Sequence, residues 1–378
     1  MQKEHRFQAL DSFRGLCALA VVVYHLRVVG SFTELEFFRN SAALVAFFFV
    51  LSGFVLAHAY GSKMTVDIRR FFISRTFRLF PLHLFMLGVF ILLEVGRYIA
   101  HQKGMEFNNE PFTGKFAPSG IIPNLFLVQS WTSLTNPLSF NYPSWSISIE
   151  YYTYMIFAVT LGIALVGRKL LWAAISLLAF VLIYQDNVFF TQESLRGLSC
   201  FFAGCLTYVV FIALTKVINP GFWLLTVLEG VSLICAATLM MADIEQKATV
   251  VSLMFCLVIV IFAFDGGAFS RLLNVGFFKF LGKLSYSIYL THAAILFCAL
   301  SVFMVASKVI GIDFTTNIDG DRYLDIGNVW INNTVAMLIV SSVVVLSMFT
   351  YKYIEMKGQA YGRTLINKKP AEAEKVAV

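Results

Sequence analysis

The sequence predicts an all-α protein, a polytopic membrane helical bundle of about ten transmembrane helices, N-in and C-in. Three observations carry that prediction. Hydrophobic residues make up 58% of the 378 and charged residues only 13%, whereas a soluble chain of this length is nearer a quarter charged. Mean hydropathy is +0.76, and the apolar residues fall in runs of about 20, enough for a helix to cross a bilayer core. The net charge is +7, and Lys and Arg gather in alternate connecting segments. That is the pattern of cytoplasmic loops, and it argues against nucleic acid as the partner of a basic chain.

In chain order, the first span is expected near Ser12–Val29 and the second near Ala42–Tyr60. A basic stretch from Lys63 to Arg78 leads to the third, Leu79–Ala100, and a long polar segment, His101 to Pro143, to the fourth, Ser144–Val166. Leu170–Tyr184, Leu195–Thr215, Phe222–Ala242 and Ala248–Phe264 follow, then Leu284–Ala306 and Trp330–Tyr351. Residues 1–355 therefore form one transmembrane domain and 356–378 a cytoplasmic tail, with Asn367 to Val378 disordered. The first apolar run is too long for a cleavable signal peptide and is expected to stay as an anchor. The six cysteines sit in apolar runs without metal-binding spacing, which reads as packing, and no metal is expected.

Two outer loops stand out. Ile121–Trp131, within the first, is apolar enough to lie in the membrane interface. The second, Ser307–Val329, holds Asp319-Gly320-Asp321, but without the terminal Glu of a calcium loop.

The candidate chemistry starts on the first span. Asp11, Arg14 and His25 are ionisable groups on an apolar helix, costly in hydrocarbon and functional by default. Eleven residues separate Arg14 from His25, about three turns, so both share a face roughly 16 Å apart along the axis. A helix-packing histidine is the bland alternative. Three ionisable groups on one span favour chemistry, and a neutral imidazole suits deprotonation of a hydroxyl. Arg75 and Arg78, at i and i+3, point to one side of a helix; they are either a phosphate clamp or an anchor for anionic lipid. Glu150, about one and a half turns into the fourth span, needs a partner or a water-filled cavity. His292, in Leu284-Ser285-Tyr286-Ser287-Ile288-Tyr289-Leu290-Thr291-His292, is more often a packing residue.

Taken together, these segments resemble the acyltransferase 3 family of integral membrane acyltransferases. Arg14 and His25 match its Arg-x10-His signature in a Leu-Asp-x-x-Arg-Gly context, Leu10 to Gly15. Phe47 to Phe54 resembles its second-helix motif, Arg75-x-x-Arg78 its cytoplasmic motif, and Trp145 to Glu150 and Ser285 to His292 two more. Many members continue the Trp-Ser-x-x-x-Glu motif with a second acid and a Gln; here Tyr151-Tyr152-Thr153 follows, which leaves Glu150 alone. The resemblance implies transfer of an acyl group, usually acetyl, from cytoplasmic acyl-CoA to a hydroxyl of a surface glycan or its lipid-linked precursor. It also implies a bacterial inner membrane, with acyl-CoA as a donor substrate and no permanently bound cofactor. It puts His25 and Arg14 at the reaction centre, with Asp11 orienting Arg14, and Arg75 and Arg78 near the CoA phosphates. A transporter or flippase for lipid-linked glycan is the competing class, and a small-molecule or lipid acceptor the competing substrate.

Overall fold

The computed structural model describes residues 7–105, 109–185 and 189–367. In order, the helices are α1 (Gln8–His25), α2 (Glu36–Arg39), α3 (Leu44–Tyr60), α4 (Ile68–Gln102) and α5 (Ile121–Leu125). Then come α6 (Ser144–Thr160), α7 (Leu165–Ile183), α8 (Gln192–Leu214), α9 (Phe222–Met241), α10 (Lys247–Ala263) and α11 (Ala268–Leu273). The long α12 (Gly276–Ile310) is followed by β1 (Thr315–Ile318), β2 (Asp321–Leu324), α13 (Val329–Thr350) and α14 (Met356–Asn367). Among the described residues, seven helices are long and apolar enough to cross a membrane. The remaining expected segments fall on α1, α6 and α10, of 18, 17 and 17 residues. Side chains such as Leu177, Trp223 and Met337 stand exposed on the outside of the bundle, a surface that suits lipid.

Glycines set the two tightest crossings. A Cβ at Gly15 of α1 would lie 2.5 Å from the Leu281 carbonyl carbon, and one at Gly282 of α12 would lie 2.3 Å from the Asp11 oxygen. Each helix thus presses its backbone into the other's missing side chain. The same reciprocity joins α3 to α8, where a Cβ at Gly53 or Gly204 would lie 1.9 Å from the Phe201 or Val50 oxygen. Small residues that admit close backbone approach are the usual device of membrane helices.

Several boundaries differ from the sequence expectation. α1 ends at His25, not Val29: Leu26 turns extended, and Arg39 Nη2 donates to the carbonyls of Val23 (2.7 Å) and Leu26 (3.1 Å), satisfying acceptors that a helix end leaves open. The basic stretch is not a separate connector. Asp67 caps Arg70 N at 2.9 Å, and from there one helix of 35 residues runs through the arginines and past Pro81. α12 likewise begins eight residues ahead of Leu284. α13 passes through a single π turn, Tyr351–Glu355, into α14, so the first twelve residues expected as tail are helix packed on α4. The expected disorder beyond Asn367 lies outside the described residues.

The described parts of the two outer loops pack on the helices. His83 of α4 lies 2.7 Å by Nε2 from the Asn124 carbonyl, and Leu127, Gln129 and Ser130 are fully buried. Ile121–Trp131 therefore packs into the protein along one edge, while Ile122, Leu125 and Phe126 stand exposed along the other. To the helical bundle the chain adds one short hairpin. Asp319 and Gly320, at φ +50° and +83°, form the two-residue turn of an antiparallel hairpin that pairs Ile318 with Asp321, as an Asp-Gly pair favours. Asp321 is bound to Arg27 at 3.0 Å, and Val29 N donates to the Leu324 carbonyl at 2.9 Å. The hairpin is thereby fastened over the end of α1. Of the six cysteines, Cys17, Cys200 and Cys205 are buried and Cys256 is half-buried, whereas Cys235 and Cys298 are exposed.

Candidate active site

α1, α3, α4, α6 and α12 surround a polar track through the bundle. Its lower part is a narrow cavity of about 40 Å³ lined by Arg14, Phe48, Ser146, Glu150, Ser285 and Tyr289, among others. Glu150 has partners: Ser52 Oγ of α3 donates to its Oε1 at 2.8 Å, and the Tyr154 hydroxyl, one turn on, donates to the same oxygen. The Arg75 guanidinium lies 5.5 Å from the centre of the Tyr154 ring and 5.4 Å from that of Phe71. Arg78 is within electrostatic reach of Glu150, Glu355 and Asp11. The cytoplasmic-motif arginines and Glu150 thus meet in one cluster with Arg14.

This cluster has unfilled hydrogen-bonding capacity. Among the described residues the side chains of Arg14, Arg75 and Arg78 make no hydrogen bond, and no ion pair joins them to an acid. Arg75 Nε is buried without an acceptor. Cations with donors to spare around a cavity make an anion site, because a guanidinium fork is most strongly satisfied by carboxylate or phosphate oxygens. Among the described residues no ion pair joins Asp11 to Arg14; the Asp11 backbone carries the crossing at Gly282.

The upper part of the track holds the imidazoles. His25, half-buried at the end of α1, faces the Tyr142 ring at 4.6 Å and stacks on His292 with centroids 5.4 Å apart and planes at 23°. His292 is fully buried, and among the described residues neither ring nitrogen has a hydrogen-bond partner. Such a group is costly unless something else engages it. The Tyr289 ring, 5.9 Å from His292, reaches down to the cavity, where its hydroxyl accepts from Ser146 Oγ at 2.9 Å. Arg14 and His25 accordingly occupy two ends of one track, joined by Tyr289 and His292. Asn141 Nδ2, donating to the Leu290 carbonyl at 3.1 Å, holds the Tyr142 loop against α12. The serines of the fourth-span motif are fasteners: Ser148 Oγ donates to the Leu127 carbonyl at 2.6 Å, and Gln129 Nε2 donates to Ser144 Oγ at 3.2 Å.

Three residues of this cluster were not legible as candidates. Tyr154 had a signal, since i and i+4 share a helix face and Glu150 needed a donor. Ser52 lay in a recognised motif without a stated role. Glu355 gave none, sitting where the apolar run stops. In the structure it is 5% exposed, accepts from Ser287 Oγ at 2.8 Å, and lies within electrostatic reach of Arg78 and Arg14. The π turn carries it, and π turns recur at functional sites.

The family described as an acyltransferase domain, acyltransferase 3, matches residues 7–352. The chain belongs to the acyltransferase 3 family. It is similar to the acyltransferase MdmB of Streptomyces mycarofaciens, 30% identical over 190 residues covering 47% of this chain and 45% of that one. Protein 2 in the picA locus of Rhizobium radiobacter is 38% identical over 100 residues, 25% of this chain and 49% of that one. A putative peptidoglycan O-acetyltransferase, YrhL of Bacillus subtilis (strain 168), is 29% identical over 196 residues, 47% of this chain and 27% of that one. The chain spans less than half the length of each of these curated relatives. No solved structure matches it. The chain thus carries an acyltransferase domain over residues 7–352, in a bundle of which, among the described residues, seven helices are long and apolar enough to cross a membrane.

Proposed function

We propose that this acyltransferase 3 protein moves an acyl group, acetyl being the usual one in the resemblance, from cytoplasmic acyl-CoA to a hydroxyl of a surface polysaccharide or its lipid-linked precursor. In this reading ten helices span a bacterial inner membrane with both ends inside. The observation that carries it is the pairing, on one track, of three arginines that among the described residues make no hydrogen bond or ion pair and two imidazoles stacked beside Tyr142.

Acyl-CoA enters from the cytoplasmic side, and Arg75 and Arg78 hold its phosphates. The thioester extends up the track towards His25, and Arg14, at the lower end, holds the donor. His25 takes the proton of the acceptor hydroxyl as its oxygen attacks the acyl carbon. The carbon–sulfur bond then breaks, and the CoA thiolate leaves and is protonated from the imidazolium. His292 stacks behind His25 and keeps that ring in place, and Glu150, fixed by Ser52 and Tyr154, balances the arginine charge. A covalent route, in which His25 accepts the acyl group before the hydroxyl does, uses the same residues. Trapping of labelled acyl-enzyme in the absence of acceptor separates the two.

The function is tested on intact cells by mass spectrometry of surface glycans with and without the gene. The expected result is loss of one acyl mass when the protein is absent. Identical glycans, in cells where the wild-type protein is present in the membrane, would overturn the glycan acceptor and leave a small-molecule or lipid acceptor.

A further inference from the structure

Beside the Arg14 cavity lies a second cleft of about 380 Å³, lined by Trp145, Glu193, Arg196 and Lys247 and floored by Ala46 and Leu138, among others. It is within the size range of small-ligand sites, and it carries three charged side chains on an otherwise largely apolar wall. Glu193 and Arg196 are half-buried, and among the described residues their side chains make no hydrogen bond or ion pair. Lys247 is held out over the cleft by Asn40 Oδ1 at 2.9 Å. Trp145 is half-buried, its ring 6.1 Å from Phe49, a wall of the first cavity. The two spaces share a partition: Trp145 lines one and its neighbour Ser146 the other, and Ala46 and Val45 of α3 divide in the same way. All four charged or aromatic positions sit in the first turns of α6, α8 and α10, so the helix dipoles add to the positive potential of Arg196 and Lys247.

We propose that this cleft is the acceptor subsite and that it takes a sugar carrying a carboxylate. The assignment rests on the transferase reading above and adds the acceptor class to it. An indole offers an apolar face for the C–H side of a pyranose while leaving its polar edge free. Glu193 accepts hydrogen bonds from ring hydroxyls. Arg196 and Lys247 receive the carboxylate through charge-assisted bonds, and the sugar seated there presents its neighbouring hydroxyl across the Trp145–Ser146 partition to the catalytic track.

The full chain in lipid nanodiscs tests this by calorimetry with two oligosaccharides. One is a tetrasaccharide alternating glucuronate with N-acetylglucosamine, and the other is the neutral N-acetylglucosamine tetramer. The acidic sugar is expected to bind at least tenfold tighter and to weaken with added salt. Arg196→Gln with Lys247→Gln is expected to lower its affinity at least tenfold, to the level of the neutral sugar. Equal affinity of the wild type for both sugars, or wild-type affinity in the double variant, would overturn the proposal. Coenzyme A titrated into the same wild-type preparation separates this assignment from the one it rests on. Binding of coenzyme A without the acidic sugar contradicts the acceptor cleft alone; binding of the acidic sugar without coenzyme A supports the cleft and contradicts the donor reading.

Discussion

His25 ends its helix between Tyr142 and the stacked ring of His292, so its orientation is fixed by packing before any substrate arrives. General-base catalysis contributes about 10²- to 10⁴-fold; His25→Ala is therefore expected to lower transfer by that order while the melting temperature holds, as read by a labelled-acetyl assay beside a thermal melt. The arginines act on binding. A hydrogen bond to a charged group contributes about 1.5–3 kcal/mol, so each of Arg75→Ala and Arg78→Ala is expected to weaken CoA binding by about 10- to 100-fold by titration calorimetry. Unchanged affinity would make them lipid-facing anchors. Arg14, His25, Arg75, Arg78 and Glu150 could be picked from the sequence because an ionisable group in an apolar run stands out against its surroundings. Glu355 could not, because an acid at the end of an apolar run looks like the water boundary. Only the π turn, which no residue pattern announces, brings it inward.

At the scale of elements, position and type were legible and length was not. Each expected span coincides with a helix, since about 20 apolar residues is a strong signal, but α4 and α12 run to 35 residues each. A helix does not stop where its apolar run stops; it stops where capping or a breaker ends it, and nothing does so between Asp67 and Gln102. The hairpin at Asp319-Gly320 had a readable turn, but its strands are four residues each, too short for alternation to show. Burial of Asn124 and Asn141 in the loop before α6 was hidden because both are polar: the Asn124 carbonyl is buried against His83 Nε2, and Asn141 is buried by donating to the Leu290 carbonyl. The crossing of α3 and α8 gives an element-scale prediction. Overpacking typically costs about 1–3 kcal/mol, and here the new side chain would meet backbone on the facing helix. Gly204→Val is expected to cost about 3 kcal/mol, seen as a lower melting temperature in detergent, with Gly204→Ala milder. An unaltered melt would mean that the helices separate without penalty.

For the whole molecule, the first turns of α3, α6, α8 and α10 all border one cleft, so these helices start at the same end of the bundle. That is the arrangement an even-numbered set of spans should have if every expected segment crosses. Topology follows as a prediction: in intact cells, in a cysteine-free background, a cysteine at Lys115 reacts with a membrane-impermeant maleimide and one at Arg70 does not. The reverse pattern would turn the protein over and put the arginines on the wrong side for a cytoplasmic donor. The division along the track, anion-holding groups towards Arg75 and Arg78 and imidazoles at His25 and His292, is the central claim, because it lets a donor and an acceptor meet inside one helix bundle. It is tested most directly by reconstituting the wild type and His25→Ala in vesicles, supplying labelled acetyl-CoA on the side of Arg75 and following label into a glycan acceptor on the other. The wild type should transfer label across, and His25→Ala should still bind CoA and transfer nothing above about a hundredth of that rate. A folded His25→Ala protein that transfers label at the wild-type rate would contradict it.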